Sequence, residues 1–140
     1  MAFNGQPVTT TIKNIGRGKV SDGKSINVIV PESTEIKAQE FYEINGFFGM
    51  AVEGVKTKAG ETAEIALQIE QAEYETNNIV AEDKFEVGED LYFNDGKFTT
   101  KTEGRLVGKV SNSKDSNNTI WFIMLPQQPT AQVATVEGDK

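Results

Sequence analysis

An all-β domain is predicted by three features of this sequence. Short apolar runs alternate at period two, Asn-Gly and Asp-Gly pairs sit between them, and no stretch keeps up the apolar spacing of a normal-length helix. Strands this short, separated by tight turns, pack as a sandwich or a small barrel.

The first strand is Ser25–Val30. Ile26, Val28 and Val30 alternate with Ser25, Asn27 and Ile29, and Pro31, lacking an N–H, ends the ladder. Phe41-Tyr42-Glu43-Ile44 then runs into Asn45-Gly46, whose residues tolerate positive φ, and returns as residues 47–52 in a hairpin. Residues 63–74 have the Ala and Glu content of a helix. Because Ile65, Leu67 and Ile69 alternate with Ala66, Gln68 and Glu70, the whole stretch is expected as one strand.

Residues 82–90 read as a polar connection. Leu91-Tyr92-Phe93 reverses at Asn94-Asp95-Gly96 into residues 97–100, a second hairpin. Residues 106–110 form a short strand, 111–118 a polar loop, and 119–125 a strand stopped by Pro126. The run Trp121-Phe122-Ile123-Met124-Leu125 is apolar on both faces, so it is either central in the core or turns one face to a partner. Phe47 and Phe48 pose the same question, because neighbours on a strand point to opposite faces. Trp121, Phe122 and Phe47 are the subunit-interface candidates.

Three regions follow. Residues 1–24, rich in Thr, Gly, Lys and Asn, are expected as an extended arm, residues 25–125 as the β-domain, and residues 126–140 as a mobile polar tail. A chain of 140 residues has room for one ordinary domain.

The charge balance narrows the function. Fourteen Lys and Arg against 21 Asp and Glu give a net charge of -7, which repels nucleic-acid backbones and anionic membranes. Yet Lys13, Arg17, Lys19 and Lys24 make the arm locally basic, a handle for an acidic partner. The chain has no Cys and no His, which removes thiolate nucleophiles, imidazole bases and the usual zinc ligands, so no metal and no cofactor are expected. The start has no charged step followed by an apolar stretch, and no run approaches the ~20 apolar residues of a membrane span, so an intracellular product without a membrane is expected.

Motifs that suggest chemistry have plainer readings. In residues 49–57 the glycine spacing resembles a phosphate loop, but Val55 stands where the lysine should be; Gly49 and Gly54 read instead as points of close backbone approach. Gly16-Arg17-Gly18-Lys19 neither follows a strand nor opens a helix. Glu61, Glu64, Glu70, Glu73 and Glu75 are the only basis for a carboxylate-only hydrolase, and alternation places Glu64 and Glu70 opposite the apolar face. Asn94-Asp95-Gly96 and residues 115–118 lack the spaced ligands of a calcium loop and read as turns.

The order of pieces carries a resemblance. Gly23-Lys24-Ser25-Ile26-Asn27-Val28, Gly49-Met50-Ala51-Val52, the Gly-Glu step at Gly60 into an alternating strand, Val87-Gly88-Glu89-Asp90-Leu91-Tyr92-Phe93-Asn94-Asp95-Gly96-Lys97-Phe98-Thr99, Arg105-Leu106-Val107-Gly108-Lys109-Val110 and the closing strand to Leu125 resemble the phage capsid decoration proteins, also called head-stabilising or cement proteins. The resemblance implies a small β-barrel or β-tulip domain, often a homotrimer, and no enzyme. Such a protein is made in the host cytoplasm and sits on the outer capsid surface at three-fold and quasi-three-fold sites, where it binds the major capsid protein and stabilises the shell. On that reading Pro7, Val8, Thr9 and Ile12 are the arm's strand or groove contacts with the capsid, and Lys13, Arg17 and Lys19 pair with its acidic groups. The alternative is a carbohydrate- or surface-binding β-module on a virion, with Trp121, Tyr92 and Tyr74 as stacking platforms.

Overall fold

Two turns organise the chain. Asn45 (φ 55°) with Gly46 (φ 83°), and Asp95 (φ 52°) with Gly96 (φ 79°), hold paired positive φ angles, the backbone twist that joins antiparallel strands without splaying them. The structure, a computed structural model, describes residues 5, 7–10, 16 and 18–130. Among these residues there are eleven strands and no helix: β1 (Ser25–Val30), β2 (Glu35–Ile36), β3 (Phe41–Ile44), β4 (Phe47–Ala51), β5 (Val55–Lys56), β6 (Ala63–Gln68), β7 (Glu73–Thr76), β8 (Asp90–Asn94), β9 (Lys97–Thr99), β10 (Arg105–Asn112) and β11 (Ile120–Met124). The all-β prediction holds.

The strands form a four-stranded sheet in the order β1-β6-β4-β3, a five-stranded sheet in the order β7-β11-β10-β8-β9, and the small pair β2-β5. All the ladders are antiparallel. The four-stranded sheet curls into a half-barrel, bringing its two edge strands together at one end, where the Ile29 N–H donates to Asn45 Oδ1 at 2.7 Å. One core fills this curl: Val28 and Val30 of β1, Ile65 and Leu67 of β6, and Ile44 and Ala51 of the hairpin.

Alternation then lets the same hairpin serve a second core. Phe41 and Phe48 point away from the curl, onto Leu91, Phe93, Phe98 and Phe122 of the five-stranded sheet. The rings of Phe41, Phe48, Phe93, Phe98 and Phe122 form one connected cluster with centroid spacings of 5.0 to 6.0 Å. Each such ring, fully buried, contributes roughly 1.5–3 kcal/mol through burial alone.

Residues 63–74 are not one strand. β6 ends at Gln68, and the chain crosses to the other sheet before β7. The buried residues change phase across this step, from odd positions at Ile65 and Leu67 to even ones at Tyr74 and Thr76. The connection over residues 82–90 is anchored as well as polar: Phe85 is buried, and the buried Asp83 carboxylate accepts from the Thr99 hydroxyl and, at 3.2 Å, from the Thr100 N–H. The tail does not begin as a mobile segment either. The Gln127 amide accepts from the Phe48 N–H at 2.9 Å and donates to the Phe48 carbonyl at 2.8 Å, pairing with β4 much as a strand residue does. Gly49 is a point of close approach, as expected, because a Cβ there would lie 2.6 Å from the Gln68 carbonyl oxygen.

Candidate functional site

Strand β11 decides which residues of its apolar run are free to meet a partner. Ile120, Phe122 and Met124 face the core and are fully buried, whereas Trp121 is 43% and Ile123 37% exposed on the outer face. Phe122 is therefore corrected as an interface candidate: its ring lies 5.4 Å from Phe41, 5.7 Å from Tyr74 and 5.1 Å from Phe98, leaving it no surface. Phe47 is half-buried against the core of the curled sheet. Trp121 and Phe47 thus stand on different sheets, and the structure does not gather the three candidates into one patch.

Around Trp121 and Ile123 the outer face is polar and acidic. In register across β7, Trp121 stands opposite Glu75 and Ile123 opposite Glu73; across β10, Ile123 stands opposite Lys109. Lys109 Nζ pairs with Asp90 Oδ1 at 3.1 Å, and the Ser111 hydroxyl donates to Glu73 at 2.6 Å. A tryptophan and an isoleucine inside a charged rim is the usual anatomy of a protein-binding patch.

Tyr74, also considered as a sugar platform, is buried and offers no face. Its hydroxyl donates to the Glu70 carbonyl at 2.8 Å. Burial first, and the Glu70 charge second, push its phenol up to about 12. An unfolded tyrosine titrates near 10, so the stabilisation is complete below pH 10 and is lost as pH rises from 10 to 12. At about 1.4 kcal/mol per pH unit this amounts to about 2–3 kcal/mol. Urea midpoints at pH 9 and pH 12 should therefore fall further apart in the native protein than in Tyr74→Phe.

Of the arm candidates, Pro7, Val8, Thr9 and Lys19 are described and exposed, Val8 at 93%. Lys19 Nζ pairs with Asp22 at 2.6 Å. Ile12, Lys13 and Arg17 lie outside the described residues. Where the edges of the curled sheet diverge, a groove of about 490 Å³ opens between β1 and β3, lined by Ile29, Pro31, Ile36, Tyr42 and Ile44.

One residue that sequence reasoning passed over ties these parts together. Arg105, the first residue of β10, is 2% exposed. Its Nη1 donates to Glu43 Oε2 at 3.1 Å and the Gly46 carbonyl at 2.9 Å, and its Nη2 to Gln127 Oε1 at 3.0 Å and the Gln128 carbonyl at 2.7 Å. One guanidinium thus joins both sheets and the start of the tail. The available signal was phase: Arg105 shares its side of β10 with Val107, where an apolar residue would be expected.

Among the described residues no group of three or more acidic side chains could hold an ion. The 115–118 segment is a turn, with Asp115 Oδ1 accepting the N–H groups of Asn117 and Thr119 at 2.8 and 3.0 Å. Compared with known proteins, the chain matches the family described as phage cement protein over residues 20–126. No curated protein and no solved structure matches it.

Proposed function

Because the chain belongs to the phage cement protein family, and so is a capsid-associated structural protein that stabilises the shell, we propose that it binds the outer capsid surface as a homotrimer at three-fold and quasi-three-fold sites, on the major capsid protein. The family match across the whole β-domain carries this reading. The exposed Trp121 and Ile123 supply an apolar patch for contact between copies, and Phe47 a second, smaller one. In the arm, Lys13, Arg17 and Lys19 pair with acidic groups of the shell, while Pro7, Val8, Thr9 and Ile12 grip an adjacent subunit.

An arm that orders only on docking loses entropy and binds weakly per contact, and three arms on one assembly restore strength through avidity. The test is co-sedimentation with unexpanded and expanded shells that lack the protein. Saturation near three copies per three-fold site is expected; no binding to either shell overturns the reading. Deleting residues 1–19 should abolish binding and leave the domain folded, and unchanged binding would remove the arm from the mechanism.

Trp121→Ala should leave the monomer folded, because the side chain is only partly buried. It should weaken self-association by about 2 kcal/mol, roughly thirtyfold, as truncating a central aromatic anchor does. Sedimentation velocity reads this directly, and an unchanged association constant would move the interface elsewhere.

A further inference from the structure

We propose that the seam between β1 and β3 is an acceptor slot for an extended segment, residues 7–13, from the arm of a second copy. This deepens the capsid reading by naming the neighbour that the apolar part of the arm grips, and rests on that reading only for the assembly in which copies meet.

The slot is what a missing strand leaves. Among the described residues β1 has a ladder with β6 only and β3 with β4 only, so the half-barrel ends in two edges that face each other. Ile29 and Asn45, which both line the groove, bridge them through the Ile29 N–H and Asn45 Oδ1, one contact that an incoming strand would displace. The groove of about 490 Å³ is lined by both Glu43 and Ile44, neighbours that point to opposite faces of β3. With Tyr42 and Asn45 also in its lining, the groove follows four consecutive residues and so runs along the edge of β3. Its apolar wall includes Ile36 and Ile44 from the inner core. Unpaired edges beside apolar side chains are the usual acceptor for an added strand.

The arm carries the matching donor. Val8-Thr9-Thr10-Thr11-Ile12 is an unbroken β-branched run, the composition that favours extended backbone. As a strand it places Val8, Thr10 and Ile12 on one side, and Pro7 stands first, where a missing N–H is tolerated. Pro7, Val8 and Thr9 are exposed, so these three residues do not fill their own molecule's slot.

Charge favours the pairing between copies. Residues 1–24 hold four Lys and Arg and one Asp, a net +3, so the remaining residues carry -10 of the total -7. Two acidic bodies repel, and a basic arm laid from one to the other offsets this. Glu64 stands opposite Ile29 across the β1–β6 ladder, and Glu43, already paired with Arg105, also lines the slot. The eleven residue steps from Lys13 to Lys24 span up to about 36 Å when extended, enough to reach an adjacent molecule.

The absence of native cysteine makes the test clean. Full-length Val8→Cys is mixed with full-length Ile29→Cys, a slot residue 48% exposed and so safe to replace. In parallel it is mixed with Lys97→Cys, on the edge strand β9 of the other sheet. Disulfide heterodimers are followed in concentrated free protein and on decorated shells. The slot pair should cross-link about tenfold faster than the control pair, as a raised effective concentration predicts. Equal rates overturn the proposal. So does dilution-independent internal closure of the double variant Val8→Cys/Ile29→Cys, which would assign the slot to the molecule's own arm. Shell binding without the slot cross-link overturns the arm exchange and leaves the capsid reading standing. The cross-link in solution without shell binding does the reverse.

Discussion

Arg105→Ala is expected to lower the stability of the domain by about 3–5 kcal/mol, the range found when one partner of a buried ion pair is removed. The guanidinium makes four hydrogen bonds, to Glu43, Gly46, Gln127 and Gln128. Its removal strands the Gly46 and Gln128 carbonyls in partly buried positions, each costing about 1–3 kcal/mol if unpaired and not additively, while Gln127 Oε1 keeps the Phe48 N–H. The Glu43 side chain is 35% exposed, so water can take over part of its charge. Glu43→Gln, which keeps an acceptor and the shape, should cost only about 1 kcal/mol. Urea unfolding of both variants separates a hub from a simple ion pair: equal losses would mean that the Glu43 charge, rather than the three-way junction, is what matters.

Phe98→Ala should cost about 4–5 kcal/mol and leave the five-stranded sheet unfolded at moderate temperature. Phe98 is fully buried, and its ring packs on Phe41, Phe48, Phe93 and Phe122 at 5.3, 6.0, 5.1 and 5.1 Å. Truncating a core phenylalanine costs about 3–5 kcal/mol, and the lost edge and tilted ring pairs push it to the top of that range. Phe98 also bonds through its backbone to Asn78 and Val80, holding the connection after β7 against the sheet. Phe98→Leu, which keeps most of the volume, should lose about 1–2 kcal/mol. A calorimetric transition for Phe98→Ala close to that of the native protein would contradict the shared-core account.

The hairpins were readable because their turns are local chemistry: Asn45-Gly46 and Asp95-Gly96 take positive φ whatever surrounds them. β1 was readable because alternation and a following proline mark its faces and its end, and β11 because its apolar run stops at a proline. The crossing after β6 was hidden because alternation reports burial, not which sheet is buried; only the shift from odd to even buried positions between Leu67 and Tyr74 encodes it. The two-residue strands β2 and β5 are too short for any periodicity. Trp121 as an outward residue follows from the period-two rule once Phe122 is known to point inward, but sequence alone left either parity open. Arg105 was missed because its role rests on residues 62 positions before it and 22 after it, a separation that no local pattern reports.

The strand order of the five-stranded sheet has a consequence for how the chain acquires its fold. β7 is made before β8, β9 and β10, yet its neighbour in the sheet is β11, the last of the described strands. Until Met124 has been synthesised, β7 has nothing to pair with and the aromatic cluster lacks Phe122. The β8–β9 hairpin and the β8–β10 ladder can form early from near-local contacts, whereas the sheet closes only when β11 enters between β7 and β10. Pairing of β7, and with it completion of the five-stranded sheet, therefore waits until β11 has been made. A ribosome-stalled chain ending before Ile120 would present β7 and β10 as two raw edges, open to any extended polypeptide nearby.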